Sequence, residues 1–420
     1  MSMDLQSRDI RHVWHPCTQM KDHETFKLLE IIGARGCYLE LRDGRRIIDA
    51  ISSWWCKSLG HAHPRLKRAM LNQIEKFEHV ILANTTNETI VTLSEKLSRL
   101  SPALNKVFYA SDGSCAVEIA MKMSLHARHN QHDHQRQLFV ALENAYHGET
   151  MGALSVSDVG LYRKPYLSSL LDVTFIHSVP YVTGESDPLW GDCELGWRHI
   201  EKQLTPISHK ITAIIVEPIV QGAGGMKIYS QDFLRRLRVW TAQHDVHLIA
   251  DEIMTGIGRT GKMLACEHAD IEPDFICLSK GLTSGWLPFS AVLTSDEIYQ
   301  LFYADSEAGK SFLHSHTYSG NVLAASIAGE VLTIMEENDY CARARDIGNV
   351  MRCEMLGIAE RTGHLKNVRS LGAMVAADLV VDPVKTRMGQ TVFRHALELG
   401  AFLRPLGNTI YWLPPLVAEE

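Results

Sequence analysis

Short, nearly continuous apolar runs alternate with longer stretches in which apolar positions recur at helical spacing, and this alternation dominates the middle of the chain. Lys106 to Ala110 (KVFYA), Gln137 to Leu142 (QLFVAL), Asp172 to His177 (DVTFIH), Thr212 to Glu217 (TAIIVE), Val246 to Asp251 (VHLIAD) and Phe275 to Ser279 (FICLS) read as strands. Several are apolar throughout, as expected of strands covered on both faces. Helical patterns lie between them, among them SCAVEIAMKMSLHARH from Ser114 and SQDFLRRLRVWTAQH, which opens with Ser230 as an N-cap. Strands handing over to helices predict an α/β architecture with a mostly parallel central sheet. Before Trp54 the pattern changes to short strand-and-turn signals (GCYLELRDGRRIIDA). After about Glu336 a helix, RDIGNVMRCEMLGIAERTG, precedes short strands again. The expected division is a large domain over 57–335 and a smaller α+β domain built from 1–56 and 336–420. No internal repeat is visible.

Composition narrows the classes. The chain has 420 residues, 45% hydrophobic and 22% charged, which suits a soluble globular protein of one large and one smaller domain. Its formal net charge of −7 gives no electrostatic reason to expect nucleic acid or an anionic membrane. Apolar runs such as ITAIIV fall far short of the roughly 20 residues a membrane helix needs, and the opening MSMDLQSRDIRHVWH lacks the apolar core of a secretory signal. A cytoplasmic location is expected. The nine cysteines are scattered, with no CxxC pair, and read as reduced, mostly buried small hydrophobes. The histidine-rich stretch His126 to Gln137 lacks Cys or carboxylate at ligand spacing and reads as a solvated helix end and loop, so no metal is expected.

The candidate chemistry sits at the C-terminal ends of predicted strands, where open α/β sheets bind ligands. Asp251 closes one strand and Lys280, followed at once by Gly281, closes another. Either alone is commonly a turn or cap residue. Together they suit a pyridoxal cofactor, since a lysine amine forms a Schiff base with its aldehyde while a carboxylate holds the pyridine nitrogen protonated. In ASDGSCAVEIAMK, Gly113 and Ser114 stand between a strand and a helix and offer backbone N–H groups and a hydroxyl to a phosphate. In AYHGET, Tyr146 and His147 follow a strand, and the tyrosine ring could stack on a flat cofactor. One motif points elsewhere: GIGRTG, Gly256 to Gly261, fits the G-x-G-x-x-G of a nicotinamide dehydrogenase. Asp251 and Glu252 intervene between strand and glycines, however, and would repel a pyrophosphate.

With these residues assembled, the chain resembles the class III, fold type I pyridoxal-phosphate aminotransferases along nearly its whole length. The class marks are ASDGSCAVEIAMK, AYHGET, IVEPIVQGAGGM, LIADEIMTGIGRTGK and CLSKGL. Narrower marks are HPCTQM, ISSWWC with its twin Trp54 and Trp55, SHTYSGN, and FLRPLGNTIYWLPP. The resemblance implies pyridoxal 5'-phosphate as cofactor, S-adenosylmethionine as amino donor and 8-amino-7-oxononanoate as acceptor, giving 7,8-diaminononanoate in biotin biosynthesis by a ping-pong reaction. It makes Lys280 the lysine bonded to the cofactor aldehyde and the proton carrier, Asp251 the partner of the pyridine nitrogen, Tyr146 the stacking residue, and Gly113 with Ser114 the phosphate cup. Thr317, with His316, is implied to reach that phosphate from the other subunit of a homodimer. Glu217 is implied to order the cofactor region. Cys17, Trp54, Trp55, Arg259, Ser315 and Arg404 join Tyr146 and Lys280 as substrate contacts, Arg404 as the carboxylate clamp, a task its planar fork suits.

Two departures stand out. Cys17 occupies a position where the family usually has tyrosine, removing a phenol from the substrate pocket. Ser315 and His316 stand where glycine and proline are expected. The chain also stops soon after the carboxylate-binding tail, so a small domain shorter than the family norm is expected. The competing readings are another class III aminotransferase acting on an ω-amino acid or diamine, an NAD-dependent dehydrogenase, and a non-catalytic binding protein.

Overall fold

The computed structural model describes residues 4–381 and 387–419. At its centre is a seven-stranded sheet in the order Lys106–Ala110, Ser290–Thr294, Phe275–Leu278, His247–Asp251, Ile211–Val216, Leu138–Leu142, Val173–Ile176. Six strands run in one direction, and Ser290–Thr294 is inserted antiparallel to both of its neighbours. The six sequence-predicted strands lie within a residue or so of their expected positions. The reversed strand SAVLT is not among them, because five small and apolar residues carry no signal of direction.

The central strands are buried at every position from Ile211 to Val216, His247 to Asp251 and Phe275 to Leu278. Helices cover both faces, which is why these strands show no alternation. The helix Gly113–Asn130 lays Ala116, Val117, Ile119 and Ala120 against this sheet. It begins one residue before the predicted Ser114, because Asp112 is its N-cap and accepts a hydrogen bond from the Cys115 N–H at 3.0 Å. Ser230 caps the helix Gln231–Gln243 as the sequence suggests. The histidine-rich stretch carries the end of the first helix to Asn130 and then a turn.

Register fixes the site. Asp251 pairs with Cys277 across two parallel strands, so the chain leaves both at one edge and delivers Asp251 and Lys280 to the same place. Ala110 and Leu142 end at that edge as well, ahead of Gly113 and Tyr146.

Outside the central sheet, Arg46–Asp49 pairs in parallel with Ala401–Phe402, so residues near both chain ends share a four-stranded sheet with Ile31–Arg35 and Tyr38–Leu41. A three-stranded sheet joins Leu365–Ser370, Val375–Leu379 and Thr409–Trp412. Two bonds tie the ends further: the Leu413 N–H donates to the Ala50 carbonyl at 2.8 Å, and Ser52 Oγ donates to the Leu413 carbonyl at 2.8 Å.

The segment GIGRTG is a run of turns that opens no helix. A Cβ at Gly258 would meet Met335 at 2.3 Å, and one at Gly261 would meet Arg345 at 2.7 Å. Its glycines therefore serve close packing against neighbouring helices. A phosphate-binding strand-to-helix turn is absent there, and the dehydrogenase reading loses its structural context.

Candidate active site

A cavity of about 1410 Å³ opens at the C-terminal edge of the parallel strands. Lys280, Asp251, Glu217, Gly113, Ser114, Tyr146 and His147 line its inner end; Cys17, Trp54, Tyr162 and Arg404 line the outer part.

The inner end is built of buried charge that is paired or hydrogen-bonded. Asp251 Oδ2 lies 2.7 Å from His147 Nδ1, while Oδ1 accepts from the Ile253 N–H at 3.1 Å. His147 Nε2 is buried without a partner among the described residues. Glu217 accepts from the Tyr146 N–H at 2.9 Å and the Gly222 N–H at 2.8 Å, so one carboxylate braces two loops of the cavity wall. Burial pushes the Glu217 carboxyl up to about 7. Glu252, the second acid after the strand, faces away from this chemistry and accepts from Thr255 Oγ1 at 2.5 Å and the Cys266 N–H at 2.8 Å.

Lys280 has a positive φ of 43°, a strained backbone for a lysine, and its Nζ stands 4.8 Å from the Trp55 ring centre. Desolvation lowers its pKa from the usual lysine value, against the opposing pull of Asp251 and Glu217. That shift favours the neutral amine, the nucleophilic form.

The residues fit a pyridoxal phosphate. Asp112 takes the Cys115 N–H, leaving those of Gly113 and Ser114 without acceptors among the described residues, at the N-terminus of an 18-residue helix. Ser114 Oγ is 2.8 Å from Thr150 Oγ1, and a Cβ on Gly148 (φ +127°) would stand 2.3 Å from Ser114 Oγ, so only glycine lets the two loops meet here. A buried acid, a lysine and a cup of N–H donors, facing one cavity, match the ring nitrogen, aldehyde and phosphate of that cofactor.

The outer wall depends on an unusual turn. Ser52, Ser53, Trp54 and Trp55 all have φ between 46° and 72°, forming a left-handed helical turn. Asp49 holds it, accepting from the Ser53 N–H at 2.9 Å and Ser53 Oγ at 2.6 Å, with His61 Nε2 at 2.8 Å. Both of the twin tryptophans line the cavity, but the turn leaves them unequally exposed. Trp54 is 39% exposed at the cavity, with the Arg404 guanidinium 4.3 Å over its ring. Trp55 is 5% exposed and donates from Nε1 to Tyr411 Oη at 3.0 Å.

Four of the candidate residues lie elsewhere. Arg259 does not line the cavity: it is buried, donating to the Ala373 and Pro414 carbonyls at 3.2 and 2.7 Å and to Ser52 Oγ at 3.4 Å. With no carboxylate paired to it among the described residues, desolvation lowers its pKa to about 9. Within one chain it braces the left-handed turn from behind. Ser315, His316 and Thr317 also lie outside the cavity lining, Ser315 and Thr317 being exposed. Sequence reasoning does not single out Tyr162, Asp49 or Glu149, a cavity residue that accepts from Tyr146 Oη at 2.9 Å, and it names His147 only as a neighbour of Tyr146. Adjacency to Tyr146 marks His147 and Glu149, but the contact with Asp251 spans 104 residues and no spacing rule reveals it.

Comparison with known proteins agrees with this geometry. The family model "Aminotransferase class-III" matches residues 19–420. The chain is 40% identical over 419 residues to the adenosylmethionine-8-amino-7-oxononanoate aminotransferase of Helicobacter pylori, covering 99% of this chain and 94% of the relative. It is 38% identical over 428 residues to the enzyme of that name from Aquifex aeolicus, with the same coverage. The crystal structure of the Methanocaldococcus jannaschii protein bearing that name superposes with a TM-score of 0.90 at 32% identity, covering 99% of this chain and 94% of that one. An amine transaminase from an uncultivated Pseudomonas species, solved in its PLP-bound form, superposes with a TM-score of 0.89 at 30% identity, covering 97% and 95%. A lysine and an acid at adjoining strand ends, a glycine-serine cup and a full-length match to the family model all lead to one assignment: the chain belongs to the class III aminotransferases, of fold type I.

Proposed function

We propose that the protein transfers the amino group of S-adenosylmethionine to 8-amino-7-oxononanoate, yielding 7,8-diaminononanoate for biotin synthesis. The observation that carries this reading is one cavity with Lys280 and Asp251 at its inner end and Arg404 over Trp54 at its outer wall, in a chain 40% identical to a relative bearing that enzyme's name. When bound, pyridoxal phosphate supplies an aldehyde that takes up an amino group from one substrate and releases it to the next, and a ring that accepts electrons meanwhile.

The side chains divide the remaining work. Asp251, fixed by His147 and the Ile253 N–H, would hold a proton on the ring nitrogen of the bound cofactor. Gly113 and Ser114 would hold its phosphate, and Tyr146 would cover its ring. Lys280, with its lowered pKa, would carry at its Nζ the proton that the transfer moves. Glu217 keeps Tyr146 in place. Arg404 receives the acceptor's carboxylate, whose alkyl chain lies along Trp54. One cavity serves both substrates, so donor product leaves before acceptor enters.

The working form we propose is a cytoplasmic homodimer. Nine free thiols support a reducing compartment, and Thr317, with His316 beside it, is exposed, as a residue that completes a neighbour's phosphate cup must be. The proposed domain division, 57–335 against 1–56 with 336–420, draws support from the parallel pairing of Arg46–Asp49 with Ala401–Phe402.

The test is direct. The purified yellow protein should bleach on adding S-adenosylmethionine and regain its colour on adding 8-amino-7-oxononanoate, with diamine formed in equal amount. Bleaching by other amines but never by S-adenosylmethionine would replace this reading with a different class III specificity.

A further inference from the structure

Cys17 sits at the outer wall with both its thiol and its carbonyl engaged. The thiol donates to Tyr162 Oη at 3.4 Å, and the carbonyl accepts from Arg404 Nη2 at 3.1 Å. Its backbone has a φ of 52°, a left-handed conformation that costs a non-glycine residue energy. A thiol is a weak hydrogen-bonding group, so the Tyr162 hydroxyl is poorly satisfied in a cavity that half-buries the ring; among the described residues it has no other hydrogen bond, the Glu149 carboxylate of the same cavity being taken by Tyr146 Oη at 2.9 Å. Tyr162 is nevertheless held firmly. Its ring packs edge-on against Tyr146 with centroids 5.9 Å apart. The adjoining Arg163 is anchored over Phe175 at 4.8 Å and donates to the Ser155 carbonyl at 3.4 Å.

The Tyr162 hydroxyl and the Arg404 guanidinium therefore converge on one residue, and that residue offers each a replaceable contact. A carboxylate brings two oxygens and a negative charge, and is a far better acceptor for both. We propose that Tyr162 is a substrate-contacting residue that grips the acceptor's carboxylate together with Arg404, and that Cys17 is the placeholder both groups release when it arrives. This rests on the proposed function for the identity of the acceptor, while the geometry calls for an alkyl carboxylate whatever the enzyme's full substrate. It also bears on the cysteine at position 17: its thiol lies 3.4 Å from Tyr162 Oη, so the phenol of Tyr162 already stands beside the side chain at 17.

The experiment uses the holoenzyme, with Tyr162→Phe, Arg404→Ala and the double variant Cys17→Tyr/Tyr162→Phe, each checked for an unchanged melting temperature. Two readouts are compared: binding of nonanoate by calorimetry, and the two half-reactions followed separately by absorbance. Tyr162→Phe is expected to weaken nonanoate and raise KM for 8-amino-7-oxononanoate by roughly 10-fold, the effect of one hydrogen bond to a charged group. It should leave kcat and the S-adenosylmethionine half-reaction within about 2-fold, and the double variant should recover most of the loss. Unchanged nonanoate binding in Tyr162→Phe, equal losses in both half-reactions, or wild-type protein that binds no nonanoate would each overturn the inference. If Tyr162→Phe weakens nonanoate while wild-type protein ignores 8-amino-7-oxononanoate, the carboxylate contact stands and the proposed function falls. If wild-type protein turns over 8-amino-7-oxononanoate while Tyr162→Phe binds nonanoate unchanged, the proposed function stands and the contact falls.

Discussion

The inner end and the outer wall of the cavity are made in opposite ways. Asp251, Lys280, Glu217, Gly113 and Tyr146 leave the C-terminal ends of neighbouring strands, whose register is locked by cores buried on both faces. Cys17, Trp54, Tyr162 and Arg404 come from four distant segments, two of them near opposite ends of the chain, and meet through a left-handed turn and a few polar contacts. Bond-making groups thus rest on the stiffest part of the protein, and groups that choose a substrate rest on parts that can change without disturbing the sheet. Cys17 illustrates the second kind of freedom.

Variants can break this contrast. Lys280→Ala should have the largest effect, removing the visible absorbance of the lysine-bound cofactor and lowering turnover by at least about 10²-fold; sustained turnover without an added amine would move the inner chemistry elsewhere. Next, Arg404→Ala should raise KM for the oxo acid roughly 10- to 100-fold, the scale of a charged hydrogen bond, with a smaller change for the donor. Equal changes for both substrates in steady-state kinetics would make the outer wall part of the common machinery. Asp49→Ala should come third. It removes the acceptor for Ser53 and His61 and should destabilise the fold by about 1 to 3 kcal/mol, seen as a lower melting temperature, while the cofactor absorbance of the folded protein stays.

The smallest effect concerns the rigid half alone. Burial, helped by Arg128, Arg136 and Arg238, holds His247 down at about 3, against an ordinary 6.5. Its unfolded form binds a proton that the folded form refuses, so its contribution is full above about 6.5 and is lost as pH falls toward 3. His247→Gln, still able to bond Ser124 Oγ, should therefore give a shallower loss of melting temperature over that acid range. An unchanged slope would assign the acid limb to other groups.

Legibility in the sequence follows the same division. The strands and their catalytic ends can be read because apolar runs, turn residues and the Lys-Gly and Asp-Glu steps are local signals. Glycines with two uses mislead locally: GIGRTG fits a phosphate loop as text and packs against Met335 and Arg345 in space. The outer wall is legible only through resemblance. Nothing near Ser52 announces four left-handed residues, and nothing near Arg259 announces that its guanidinium is taken up by carbonyls at 373 and 414.

By itself, then, the sequence determined an α/β chain with a lysine and an acid at strand ends, because hydrophobic periodicity and turn chemistry act over a few residues. Only the tertiary structure decided that His147 steadies Asp251, that one of the twin tryptophans is buried and the other exposed, and that Tyr162 meets Cys17. Those contacts join residues more than a hundred positions apart or depend on a strained backbone, and neither is encoded in any short stretch of the chain.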